Sequence, residues 1–160
     1  GPTFGRVERR FWADGKLSRI TEPNGDVREL YYDVNRRLRR ELDALGNATD
    51  YVRDRAGRVT EIRDVATGGV TRFTHDAAGR VLSRTDAYDH ATSMSYRAGG
   101  RLASLTDARN HTRSFSETPT SRTVVDALSR STVRQLSGYG LTTGTSLPGG
   151  TSTALSGKVE

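Results

Sequence analysis

The sequence contains no cysteine, which excludes a disulfide scaffold, cysteine-ligated zinc and thiol chemistry. Large aliphatic side chains are scarce: Leu, Ile, Val and Phe together supply 31 of 160 residues. That is close to the limit below which a chain struggles to bury a compact core. No run of about 18 consecutive apolar residues occurs, so no membrane-spanning helix is expected. Gly1 to Arg10 carry no apolar stretch of the kind a secretory signal needs, and Gly1-Pro2 reads as the scar of a cleaved tag. Residues 1–10 are therefore expected to be scar and lead-in. Enzyme signatures are missing too, with no Gly-x-Ser-x-Gly elbow and no Gly-Lys-Ser/Thr phosphate loop. No enzymatic activity, metal or cofactor is expected.

Lysine is nearly absent. Only Lys16 and Lys158 occur among 25 basic residues, and the net charge is +6. Such a balance favours weak, salt-sensitive attraction to polyanions. The arginines recur at a fixed interval. A small or polar residue, a basic one and an apolar one appear as Gly15-Lys16-Leu17, Arg36-Arg37-Leu38, Gly57-Arg58-Val59, Gly79-Arg80-Val81 and Gly100-Arg101-Leu102, spaced by 21, 21, 22 and 21 residues. Six positions after each basic residue stands an acid: Glu22, Asp43, Asp64, Asp86 and Asp107. A second acidic position holds Asp33, Asp54 and Asp76. Ser121-Arg122-Thr123 is a degraded sixth copy, followed early by Asp126.

Each unit reads as two short strands and two turns. Leu17–Ile20, Val59–Ile62 and Leu102–Leu105 favour strand, and Val27, Leu30 and Tyr32 mark a second strand by alternation. Segments such as Glu22-Pro23-Asn24-Gly25 and Asp76-Ala77-Ala78-Gly79 are turn chemistry, with Gly where positive φ is cheap. The expected fold is all-β, built of consecutive antiparallel hairpins of a repeat of about 21 residues. Residues 11–135 form the repeat region, and 136–160, rich in Gly, Ser and Thr, read as a tail or linker. Arg36 replaces a turn glycine, so that turn must differ or accept strain. Glu41 and Arg84 replace the apolar Ile20, Ile62 and Leu105, implying a weaker face or a shifted register.

The candidate residues divide by chemistry. Arg58 and Asp64 are six apart, roughly 20 Å along one strand, so the arginines read first as rungs of a charge ladder between neighbouring units. A basic stripe holding a polyanion is the other reading. Phe11, Trp12, Tyr31, Tyr32, Tyr51, Phe73, Tyr96 and Phe115 read as packing on a sheet face, with contact to a sugar ring as the alternative. His90 and His111, 21 residues apart, read as polar turn positions rather than a metal pair.

The pattern resembles the Rhs/YD-repeat family, whose unit carries a Tyr-Asp pair, two small residues and then Gly-Arg-Leu. Tyr32-Asp33 reproduces the pair, and Asp76-Ala77-Ala78-Gly79-Arg80-Val81 matches the rest. Val125-Asp126 keeps the Asp, whereas Phe11-Trp12 and Tyr96-Arg97 keep only the aromatic. The resemblance spans about Phe11 to Ser131. It implies a sheet that spirals into a hollow shell around a cargo, often a toxic C-terminal domain, in secreted or surface-exposed bacterial proteins. This chain would then be an open segment of such a shell, a scaffold without chemistry of its own. Its partners would be the rest of the shell and the enclosed cargo, with a glycan or polyanion, or edge-to-edge pairing with itself, as further options. The repeat anchors would be Tyr32, Asp33, Leu38, Gly57, Arg58, Asp64, Asp76, Gly79, Arg80, Asp86, Gly100, Arg101 and Asp107.

Overall fold

The computed structural model describes residues 6–149 and the backbone of 152–154. Every regular element among these residues is a strand. The chain divides into two units, Gly1–Asp89 and His90–Glu160. The first holds β1 (Glu8–Phe11), β2 (Leu17–Thr21), β3 (Val27–Tyr32), β4 (Leu38–Leu42), β5 (Ala48–Arg53), β6 (Val59–Asp64), β7 (Val70–His75) and β8 (Val81–Thr85). The second holds β9 (Ala91–Tyr96), β10 (Leu102–Thr106), β11 (Thr112–Thr118), β12 (Ser121–Val125), β13 (Ser131–Leu136), β14 (Thr142–Ser146) and β15 (Ser152–Ala154). Within each unit every strand pairs antiparallel with the next in sequence. The expected run of consecutive hairpins is what the chain forms.

One turn recurs throughout. In the turn that starts at Asp54, the Asp54 amide donates to the Arg58 carbonyl at 3.0 Å and the Gly57 amide to the Asp54 carbonyl at 2.9 Å. The residue three places after the first has positive φ, as at Gly57 (86°) and Gly79 (83°). This is a tight turn closed by a left-handed bulge residue, which suits the twist of a hairpin. Arg36 adopts the same conformation (φ 62°), so its turn keeps the common form and accepts the strain. The Arg36 guanidinium is tied down, with Nη2 donating to the Asp14 carbonyl at 2.8 Å and Nε 3.3 Å from the Asp14 carboxylate. Tyr88-Asp89 is also explained: Asp89 is a left-handed turn residue (φ 62°) and Tyr88 stands exposed on that turn.

The register survives the polar substitutions. Glu41 lies opposite Leu30, and Arg84 opposite Phe73, just as Ile62 lies opposite Tyr51. Glu41 is accommodated by Arg28, whose Nη2 is 3.4 Å away. Leu30 is the one buried apolar residue among those described, at 9% exposure. The other inward positions are only half-buried, as the low aliphatic content requires. Hairpin-to-hairpin bonding, rather than a deep core, must hold such a sheet together.

The segment expected to be a tail departs from that reading. The Ser137 amide donates to the Leu141 carbonyl, the Gly140 amide to the Ser137 carbonyl, and the Leu141 amide to the Ser137 hydroxyl. That is the repeat turn with serine in place of aspartate, and it leads into β14, which pairs with β13. The serine hydroxyl still caps the turn amide, so the chain stays in register without the acid that marks the other units. Residues 1–5, 150–151 and 155–160 lie outside the described residues. Asp126 is displaced as well: the tight Thr118–Ser121 connection shortens the repeat. Its turn therefore joins β12 to β13, at the sheet end that also carries the Asp107 turn.

Candidate functional site

The charged residues of the repeat are fixed by their own turns. The Asp54 carboxylate accepts from the Arg58 amide at 3.0 Å and from Arg58 Nε at 2.7 Å. Asp76 holds Arg80 in the same way, at 3.0 and 2.6 Å, and Asp126 holds Arg130, at 2.9 and 2.7 Å. These three arginines thus pair four residues back within a turn, not with an acid of the neighbouring unit. Asp33 accepts from the Asn35 and Arg37 amides, and Asp107 from those of Arg109 and His111. Asp86 accepts from the Tyr88 amide. Asp64 caps a turn one residue longer, accepting from Ala66 and Thr67 while its own amide donates to the Gly69 carbonyl. These bonds favour the carboxylate form. The Arg37 amide holds Asp33 below the ordinary aspartate range, and the Arg80, His111 and Arg130 amides do the same for Asp76, Asp107 and Asp126. His111 also places Nδ1 3.4 Å from the Asp107 carboxylate, which accounts for it as a turn residue.

A second set of side chains ties neighbouring hairpins within a unit together by reaching for main-chain carbonyls. Tyr32 donates its hydroxyl to the Leu17 carbonyl at 3.0 Å, and Arg53, at the same repeat position, donates Nη2 to the Leu38 carbonyl at 3.3 Å. Lys16 Nζ sits 4.7 Å from the centre of the Tyr32 ring. Arg58 Nη1 donates to the Asp76 carbonyl at 2.7 Å. Where the turn aspartate is missing, its replacement bonds across: Trp12 Nε1 donates to the Leu30 carbonyl at 3.0 Å, and Arg97 Nη2 to that of Phe115. Leu30 and Phe115 are themselves equivalent repeat positions. These tethers escape a search for residue identity, because Tyr, Trp and Arg share only a long reach and a donor at the tip. Spacing alone would have found them.

The two sheet faces differ. In the first unit one face carries Leu30, Tyr51, Ile62 and Phe73. The other carries the pairs Arg19–Glu29, Arg40–Asp50 and Arg72–Glu61, at 3.9, 2.5 and 3.8 Å. In this unit ion pairing does cross strands, but through residues other than the repeat anchors. Arg40 holds Asp50 below the usual carboxylate range. In the second unit that role passes to hydroxyls, with Ser95 2.7 Å from Ser104 and Thr106 2.8 Å from Thr112. Arg101 of the same unit lies 2.7 Å from Glu117, which also pairs with Arg122 at 3.0 Å. These three line a cleft of about 840 Å³ floored by Leu102, Phe115 and Val124. Gly100 (φ 79°) closes the turn beside it. Among the described residues no group of three His, Asp or Glu side chains has the geometry to hold a metal. No helix among them is long and apolar enough to cross a membrane.

With this geometry in view, the comparisons with known proteins are specific. Residues 53–91 match the family model described as RHS Repeat. The fold is similar to that in the TcdB2-TccC3-TEV crystal structure, with a TM-score of 0.66 at 12% identity over 88% of this chain and 9% of that one. It is also similar to the TcdB2-TccC3 crystal structure, with a TM-score of 0.51 at 12% identity over 89% and 12% of the two chains. At such identities the likeness is one of fold, and this chain covers only a small part of those proteins. No curated protein matched. The matched segment includes Arg58, Asp76, Gly79 and Arg80, the residues that build the repeat turn and its tether, so residues 53–91 are similar to an RHS repeat.

Proposed function

We propose that this chain is a length of wall in a larger RHS-type protein, a β-scaffold that surrounds or presents an attached effector domain and performs no reaction itself. The observation that carries this reading is the destination of the repeat's side chains. The aspartates cap turn amides, and Tyr32, Arg53, Arg58, Trp12 and Arg97 reach main-chain carbonyls of an adjoining hairpin. Side chains spent on joining neighbours suit a sheet that grows by addition of units. Tyr32, Asp33, Leu38, Gly57, Arg58, Asp64, Asp76, Gly79, Arg80, Asp86, Gly100, Arg101 and Asp107 are its anchors, and its repeat region runs from residue 11 past 135 into β14. A secreted or surface-exposed setting, and partnership with the rest of the wall and its cargo, accompany this role.

Limited proteolysis of the parent protein tests it. An attached C-terminal domain should resist protease while the wall is intact and become cleavable when Arg58→Ala and Arg80→Ala loosen it. A domain cleaved equally fast in both would refute the enclosure.

The outer edge of β1 pairs with nothing else among the described residues, so it is where further sheet would join. Its exposed Glu8, Arg9 and Arg10 are charges of the kind that discourage indiscriminate edge pairing. A glycan-presenting role would rest on Trp12 and Tyr31, exposed by 46% and 37%, with ring centres 6.0 Å apart. Quenching of Trp12 fluorescence by saccharides checks it.

A further inference from the structure

One stretch of the first unit breaks the charge balance of the repeat. Arg39 stands where other units have Ser18, Thr60, Leu82 or Ala103, and Arg55 where they have Ala13, Val34, Ala77 or Ala98. Arg53 stands in the position of Tyr32, and Arg37 is the ordinary basic residue of its unit. The fold gathers all four around a single cleft of about 380 Å³, between the turn that starts at Asp33 and the turn that starts at Asp54, with Tyr51 as an apolar wall.

Direct pairing of the kind other units make with their turn acid is missing there. Arg58, Arg80 and Arg130 each pair with their turn aspartate. The Arg37 guanidinium instead lies against Gly57, with Nη1 in the space that any Cβ there would need. None of Arg37, Arg39, Arg53 and Arg55 forms an ion pair among the described residues. Asp54 is engaged by Arg58, and Asp33 Oδ1 by two turn amides. Arg53 is held by the Gly57 and Leu38 carbonyls at 3.1 and 3.3 Å, and its Nε is buried without an acceptor. It supplies fixed charge to the cleft, whereas the exposed Arg39 and Arg55 supply free donors.

We propose that this cleft binds a tetrahedral oxyanion, a phosphate or sulfate group carried by a larger ligand. Four guanidinium groups against the two carboxylates of Asp33 and Asp54 leave a local excess of positive charge. Guanidinium forks match the geometry of such oxygens through paired hydrogen bonds. The cleft is of the size usual for small-ligand sites, and Tyr51 offers an apolar surface for whatever bears the anion. The site lies beyond the role as a wall and does not depend on it.

Isothermal titration of the full chain with inorganic tripolyphosphate and, separately, with sucrose octasulfate at about 0.15 M salt, where screening acts beyond about 8 Å, tests this. Binding of the first alone identifies a phosphate ester as the natural group, binding of the second alone a sulfate ester, and binding of both the shared chemistry. Arg39→Ser with Arg55→Ala, residues that other units carry at these positions, should weaken binding by about tenfold or more, the scale of a charge-assisted hydrogen bond. Arg109→Ala with Arg113→Ala removes equal charge elsewhere and should leave affinity nearly unchanged. Amide shifts on titrating the unaltered chain should concentrate in residues 33–39 and 51–55, a readout independent of whether the variants fold. Equal weakening by the two double variants, shifts spread along the chain, or no binding of either probe would overturn the proposal.

Discussion

Arg58 donates Nη1 to the main-chain carbonyl of Asp76 at 2.7 Å, 18 residues further along the chain. The same guanidinium is oriented by the Asp54 carboxylate through Nε at 2.7 Å. A turn acid thus aims an arginine, and the arginine clasps the next turn of its kind. Replacing Arg58 by Ala should cost about 1 kcal/mol or more, the usual net worth of a hydrogen bond. Arg55→Ala, on the exposed side of the same turn, should change stability by less than about 0.5 kcal/mol. Urea unfolding of the two variants checks the contrast.

Gly57 shows why the turn tolerates so few residues at its fourth position. Its φ of 86° is costly for a residue with a Cβ, and the Arg37 guanidinium occupies the space beside it. Gly57→Ala should destabilise by about 1–2 kcal/mol through backbone strain, since the end of Arg37 can swing away. Gly57→Asn should cost less, because Asn enters the left-handed region more readily. Thermal melting ranks the two.

Tyr32 and Arg53 are equivalent although their chemistry differs. Both span 15 residues to the carbonyl of an apolar strand residue, Leu17 or Leu38. Arg53→Tyr should therefore hold stability within about 0.5 kcal/mol, whereas Arg53→Leu should lose about 1 kcal/mol with the bond. Tyr32→Phe should match the second loss. Chemical denaturation of these variants decides whether reach, rather than residue type, is what the position requires.

Acid should loosen the sheet. Turn amides hold Asp33, Asp76, Asp107 and Asp126 below the ordinary aspartate range. A carboxylate with a lower pKa in the folded chain than in the unfolded one stabilises the fold above the unfolded value, about 3.9. That stabilisation disappears as pH falls through the folded values. The urea midpoint should be flat from neutral pH to about 5 and drop steadily below. Asn at all four positions keeps the acceptor but removes the titration, and should flatten the slope.

Much of this fold was legible in the residues, and for a physical reason. Hairpins of fixed length need turn residues at fixed intervals, so Gly57 and Gly79 with their partner acids, and Gly100 after them, wrote the period into the sequence. What stayed hidden was carried by substitutions that preserve geometry while changing identity. Ser137 caps a turn as aspartate does, which concealed β14, and Arg36 accepts a left-handed conformation usually left to glycine. The pairing of Arg58 stayed hidden because β6 carries Asp64 roughly 20 Å away, which pointed to an acid of a neighbouring unit as its partner. The turn instead folds Arg58 back onto Asp54. The cleft at Arg39 and Arg55 was invisible for another reason: a net charge does not say which arginines lack partners.

The central claim is that each hairpin depends on its neighbours rather than on a shared core. Hydrogen exchange of the Arg58→Ala chain, followed amide by amide against the unaltered chain, tests it most directly. Protection should fall in β5 to β8, around the broken tether, and persist in β10 to β13. A uniform loss across all strands would show one cooperative core and contradict the account.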